Sequence, residues 1–174
     1  EFLDAEIDTE FLERHDPAEL GAPLASAEAE KAHAVAAALA AQARRRAEAP
    51  VLKAMPSGWR NVPGASQRCS FESVRGEVEV AYRFDRTGRR PEVAVDGEAW
   101  EEFALVSCDP SEVVLHLRGV ERRYRVQCVG FEHFVDGPDG YSALTEIQRF
   151  PLPGSQLATG SLVAPLPGTV VNVP

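Results

Sequence analysis

The sequence predicts an α+β protein, mainly β, in which one long alanine-rich helix is surrounded by an antiparallel barrel of about eight strands. Three observations lead there. Alanine dominates residues 26–49 on every side of a helical projection. From about Gln67 to Phe150, short stretches of alternating apolar and polar residues recur at hairpin spacing. Between them, residues 50–66 hold three prolines and two glycines, which forbids regular structure. The interior of an eight-stranded barrel has room only for side chains or a small ligand. A helix placed inside it needs small residues, and alanine supplies them.

The elements follow in order. Thr9–His15 reads as one or two helical turns ending at the turn signal Asp16-Pro17. Ser26 can cap the long helix, with Glu28 and Glu30 in the first turn and Arg44, Arg45 and Arg46 in the last, each charge suited to its end of the helix dipole. Pro50 closes it, and at 1.5 Å per residue the rod is about 35 Å long. Val35 and Leu39 are its only large aliphatic residues in the middle. A surface helix would show one apolar stripe and one charged face; this one suits close packing on several sides. In the loop that follows, Val51, Leu52, Met55, Trp59 and Val62 are too apolar for a solvated tether, so the loop is expected to dock on its own domain or on a partner. The expected strands are Arg68–Val74, Glu77–Asp85, Pro91–Val95, Glu102–Cys108, Glu112–Leu117, Val120–Val129, Phe131–Val135 and Tyr141–Phe150. Asp96-Gly97 and Arg118-Gly119 mark tight hairpin turns. After Phe150 the stretch Pro151–Gly154 breaks the sheet, and Leu162–Val173 reads as the first strand of another module.

Composition narrows the function. The 174 residues carry a net charge of -9, and the short basic runs sit beside acids, which argues against a nucleic-acid binder. No apolar run approaches the roughly 18 residues of a membrane helix. The first residues, Glu-Phe-Leu-Asp, have no basic n-region and no initiator Met, and a piece of a longer gene product is expected. Cys69, Cys108 and Cys128 are odd in number and far apart, which suits buried thiols on strands in a reduced, cytoplasmic setting.

Motifs for chemistry are sparse. There is no phosphate-binding glycine loop and no nucleophile elbow. The four histidines lie on different elements. His116 alternates with Leu115 and Leu117 and should face solvent. Glu132 and His133 point to opposite strand faces and make a poor dyad, and Glu101-Glu102 reads as a solvated hairpin shoulder. Asp136 and Asp139 flank glycines, but not at calcium-loop spacing, so an ordinary turn is expected. Trp59 beside Arg60 suits a cation-stacking site or an interface anchor.

Four segments, in order along the chain, carry a resemblance. Thr9–His15 is similar to the tail of a biotin carboxylase domain; Gly58-Trp59-Arg60-Asn61-Val62-Pro63 resembles a signature that follows the long helix; Phe131–Phe150 resembles the last hairpin of the same region; and Val163–Val170 is similar to the opening of a biotinyl carrier domain. Together they resemble the α chain of biotin-dependent acyl-CoA carboxylases of the propionyl-, acetyl- and methylcrotonyl-CoA type. The resemblance implies a BT domain: a long helix within an antiparallel barrel, with a hook-like loop. On that reading residues 1–20 are the carboxylase tail, 21–152 the subunit-association domain (helix about 26–49, hook about 50–66, strands about 67–150), 153–162 a linker, and 163–174 the truncated start of the carrier.

Its implied role is non-catalytic: it joins the biotin carboxylase α subunit to the carboxyltransferase β subunit in a hetero-oligomer. Leu52, Met55, Trp59, Arg60 and Asn61 are the implied partner contacts. Biotin, ATP and Mg belong to the parent chain, and no cofactor is expected on this segment. The family's biotin acceptor is a lysine between two methionines, whereas this chain has Met55 alone and lysines only at 31 and 53. The Ala- and Arg-rich composition suggests a high-GC bacterium. Two other readings remain: a stand-alone ligand-binding barrel of the lipocalin kind, which requires an empty interior, and a small enzyme using His116 or His133.

Overall fold

The computed structural model describes residues 15–52, 55, 64–85, 87–88 and 90–150. A short helix, α1 (Pro17–Leu20), precedes the long helix α2 (Ala27–Glu48). Nine strands follow among the described residues: β1 (Gln67–Ser73), β2 (Gly76–Phe84), β3 (Pro91–Val95), β4 (Glu98–Ala99), β5 (Phe103–Cys108), β6 (Glu112–Leu117), β7 (Val120–Val129), β8 (Glu132–Gly137) and β9 (Gly140–Glu146).

Asp16-Pro17 opens a short helix, while residues 9–14 of the piece expected to end there lie outside the described residues. The Asp16 side chain accepts from the Ala18 N–H at 2.9 Å, and Pro17 occupies the first helical position, where a missing N–H costs nothing. Ser26 caps α2, its Oγ accepting from Ala29 N–H at 3.1 Å. At the other end Ala49 swings to ψ 126°, the extended conformation that a following proline imposes.

Eleven of the 22 residues of α2 are alanine, and every residue from Ala32 to Gln42 is buried. A helix buried on all sides is packed on all sides. Strands β2, β3, β5, β6, β7, β8 and β9 all contact it. The sheet turns inward Phe71 from β1 and, from the other strands, Val78, Val80, Tyr82, Val93, Val95, Val113, Leu115, Tyr124, Val126, Val135 and Leu144. The approach is close enough for the Cys108 Sγ to sit 3.4 Å from the Leu39 carbonyl oxygen.

The sheet is antiparallel throughout, in the order β4-β3-β2-β1-β9-β8-β7-β6-β5. Pairing of β1 with β9, through Phe71–Glu146 and Glu72–Thr145, joins its two halves. The expected barrel of about eight strands is therefore a curled, open half-barrel of nine. The extra strand, β4, is two residues long and too short to leave a pattern. β4 and β5 form the two edges of the sheet and do not pair with each other among the described residues, although β3 and β5 approach one another there. The β5 edge carries a bulge between Leu105 and Ser107, a device that bends an edge away from stray pairing.

The two hairpin turns read from the sequence are in place. Asp96 and Gly97, and Arg118 and Gly119, all have positive φ, as a two-residue turn matching strand twist requires. The last strand ends at Glu146, short of the expected Phe150. Ile147 N–H makes one further bond to Ser70 O at 2.8 Å before the chain bends away. Gly140 is a close-approach position as well as a turn: a Cβ there would lie 2.8 Å from the Leu24 carbonyl oxygen.

The sheath predicts intolerance to bulk. Replacing Ala37, fully buried, with leucine is expected to lower unfolding free energy by about 2–3 kcal/mol through overpacking. The same change at Ala47, exposed in the last turn, should stay within about 0.5 kcal/mol. Urea denaturation of the two variants checks this.

Candidate functional site

The C-terminal end of α2 gathers the features that suit contact with another molecule. Arg45 pairs with Glu146 at 3.7 Å and donates to Tyr82 Oη at 3.4 Å, which holds the last turn of the helix against the ends of β9 and β2. Beyond it, Val51 and Leu52 project into solvent. Leu52 has φ 57°, in the left-handed region that a leucine seldom adopts. Its carbonyl accepts from the Met55 N–H at 3.0 Å, forming a turn, and Met55 is half-buried. Of the five expected contact residues, Leu52 and Met55 are thus in one turn, while Trp59, Arg60 and Asn61 lie outside the described residues.

The same end carries apolar residues that the sequence reading did not single out. Val129, Phe131, Ile147 and Phe150 are all at least 43% exposed. Register groups the first three: Val129 lies opposite Glu132, and Glu146 N–H donates to Phe131 O at 2.8 Å, so Phe131 sits beside Ile147. One signal was available. Phe131 follows Gly130 in a hairpin turn, where a large apolar residue has no core to face.

Inside the sheath the polar groups sit in three places. Near the N-terminal end, Glu30 is buried, paired with Arg75 at 2.9 Å, and accepts from Ser73 Oγ at 2.6 Å; Arg75 also donates to Ala25 O at 2.7 Å. In the middle, His33 Nδ1 shares a 2.7 Å hydrogen bond with Ser142 Oγ, and the His33 ring stands edge-on to Tyr124. Gly137 makes room for both: a Cβ there would fall 2.7 Å from Tyr124 Cδ1 and 3.0 Å from His33 Nε2. Near the C-terminal end, His133 Nε2 faces Glu146 Oε2 at 3.3 Å and Cys128 Sγ at 3.8 Å. A nucleophile–base relay needs the thiol on one ring nitrogen and the carboxylate on the other. Here both face Nε2, and Nδ1 is buried without a partner among the described residues.

The remaining expected positions fall elsewhere. His116 is exposed on β6, opposite Glu121, and shares no site with the buried His133. The three thiols are free and half-buried on β1, β5 and β7, and burial pushes Cys69 and Cys108 up to about 12. Asp139 lies in the β8–β9 turn, where it pairs with Arg122. No group of three or more His, Cys, Asp or Glu among the described residues is placed to hold a metal ion. No helix among them is long and apolar enough to cross a membrane. The half-barrel interior is filled by α2, which removes the empty pocket that a lipocalin-like reading requires.

The family described as methylcrotonyl-CoA carboxylase, alpha-subunit, BT domain matches residues 29–149, well over half of the chain. No curated protein matches it.

The interior histidine makes stability depend on pH. Burial is the main force holding His33 below its ordinary 6.5, against the raising influence of Glu30 and Asp136. The unfolded chain therefore takes up this proton first, and stability should fall as pH drops below about 6.5. Glu146 is held low chiefly by its bond to His133, so a second loss follows as pH falls below about 4.5. Thermal melts from pH 8 to 4 should show both slopes, and His33→Gln should flatten the first.

Proposed function

The chain belongs to the family of the methylcrotonyl-CoA carboxylase α-subunit BT domain, and on that footing we propose that it is a non-catalytic assembly segment joining a biotin carboxylase α subunit to the carboxyltransferase β subunit of an acyl-CoA carboxylase. In this reading the parent polypeptide carboxylates biotin with ATP and Mg, and its carrier domain takes the carboxyl group to the acyl-CoA site on the partner, in the cytoplasm of a bacterium. The flanking residues 1–20 and 163–174 would belong to the carboxylase and carrier domains.

The observation that carries the proposal is the apolar surface at the base of the hook. Val51 and Leu52 after the helix, and Val129, Phe131 and Ile147 beside Glu146, are all exposed toward the C-terminal end of α2. Single exposed apolar residues need no explanation, whereas a group rimmed by charge marks a contact surface. Arg45 and Glu146 supply that charge. The loop adds Trp59 and Arg60, residue types enriched where binding energy concentrates.

The test is direct association with a carboxyltransferase β subunit, read by surface plasmon resonance at low salt. Trp59→Ala combined with Arg60→Ala should weaken binding by about 30-fold or more, with the melting temperature unchanged. Leu52→Ala and Met55→Ala should each weaken it less. Failure of the unmodified chain to associate at high concentration would sink the proposal.

A further inference from the structure

The two halves of the sheet, β4-β3-β2-β1 and β9-β8-β7-β6-β5, meet at a short junction. Phe71–Glu146 and Glu72–Thr145 are the register pairs across it, whereas β1 and β2 pair over seven positions. One further backbone bond, from Ile147 N–H to Ser70 O at 2.8 Å, lies beside them. The outer edges, β4 and β5, do not pair with each other among the described residues, so backbone pairing joins the halves at this junction alone.

Glu146 stands where the junction, the helix and the apolar surface meet. Its Oε1 faces Arg45 of α2 at 3.7 Å, and its Oε2 faces Nε2 of His133, on β8, at 3.3 Å. Arg45 in turn donates to Tyr82 Oη, on β2 in the other half, at 3.4 Å. The His133 ring is fully buried and stands edge-on to Phe71 of β1. One carboxylate thus links α2 to both halves of the sheet. The His133 bond, with help from Arg45, holds its carboxyl below the ordinary value, so at neutral pH it is ionised and can only accept. An exposed ion pair contributes little. The Glu146 side chain, however, is only 22% exposed, and its bond to the buried His133 is charge-assisted. The backbone of the same residue reaches the surface. Its N–H donates to Phe131 O at 2.8 Å, and the next residue is Ile147. Through Arg45 it also holds the last turn of the helix, from which the chain runs on to Val51 and Leu52.

We propose that Glu146 is the positioning residue of the apolar contact surface: its carboxylate, gripped by His133 and Arg45, fixes where Phe131, Ile147 and the outgoing end of α2 stand relative to one another. The surface is assembled from three places in the chain, namely the end of α2, the β7–β8 turn and the end of β9. Each of the three is tied to Glu146, by side chain, by backbone or by sequence. A surface already held in its binding shape loses less order on contact and so binds more tightly. For its effect on affinity the inference rests on reading this surface as a partner contact. Its effect on geometry is a property of the free chain.

Amide hydrogen exchange of the whole chain, 15N-labelled and free, reads the geometry; surface plasmon resonance against a carboxyltransferase β subunit reads the affinity. Glu146→Gln keeps the size and removes the charge. The Val126 amide, bonded to Ser111 O at 2.8 Å within the β5–β9 half, serves as the reference for global opening. Relative to it, the Glu146 and Ile147 amides should exchange about tenfold faster in Glu146→Gln. In Arg45→Met they should exchange about threefold faster. Kd should rise about fivefold in Glu146→Gln. Val95→Ala removes a buried core contact next to the Lys31–Asp96 pair, toward the other end of α2. It should lower the melting temperature at least as much, while leaving the exchange ratio and Kd within about twofold of the parent. Unchanged exchange ratios in Glu146→Gln overturn the inference whether or not the partner binds. So does faster exchange with the parent's Kd, or an equal loss of affinity in Val95→Ala. If the unmodified chain does not associate, the partner-contact reading fails, and the exchange ratios alone decide whether Glu146 positions the surface.

Discussion

A helix enclosed on all sides by its own sheet has no solvent face, and this constraint governs the molecule. An ordinary amphipathic helix buries one stripe and hydrates the rest. Here the stretch from Ala32 to Gln42 touches protein in every direction. Large side chains all round would push the strands beyond contact distance, and polar ones would go unsatisfied. Alanine meets both limits. Val35 and Leu39, both fully buried, are the larger exceptions.

The same solution creates a problem of registry. An alanine surface is smooth and offers few knobs to stop a rod sliding or turning in its sheath. Polar contacts at three heights supply the missing specificity: Glu30 with Arg75 and Ser73, His33 with Ser142, and Arg45 with Glu146. Buried or half-buried polar pairs contribute little net stability. Each is satisfied at only one helix position, so together they pin the rod along its length. Gly137 belongs to this device, since any side chain there would displace both Tyr124 and His33.

Much of this could be read from the sequence, for identifiable reasons. The helix start is written in Ser26, its end in Pro50, and its burial in the absence of a polar stripe. Strands with a clean alternation, such as Glu77–Phe84 and Val120–Val129, were legible because one face meets the helix and the other meets water. The two-residue strand β4 was not, because pairing of Glu98 and Ala99 depends only on their neighbours in β3. Nor was the open seam, since closure depends on the relation between helix width and sheet curvature rather than on any local pattern. The short helix that Asp16 caps was not legible because the same dipeptide marks a turn as readily as a helix start. Of the candidate site, Leu52 and Met55 stood out as apolar side chains in a proline-rich stretch, whereas Trp59, Arg60 and Asn61 lie outside the described residues. Phe131 and Ile147 were hidden: each sits at a strand end, and only the register brings them together.

The open seam follows from the enclosed helix rather than from a defect in the sheet. Eight strands close around side chains alone; here the sheet curls around a helix as well, and its edges approach through β3 and β5 without pairing. Exposed edges are a liability unless blunted or covered. The β5 edge is blunted by its bulge at Val106, and β4 is kept to two residues with Glu98 on it. What remains between them opens at both ends of α2: an acidic cleft beside the helix N-terminus and a second hollow of about 710 Å3 lined by Gln42, Ala43, Phe84 and Leu105 near the C-terminus. A domain whose interior is already full has no room for a ligand at its centre. The hollows that the described residues leave lie toward the two ends of the helix instead.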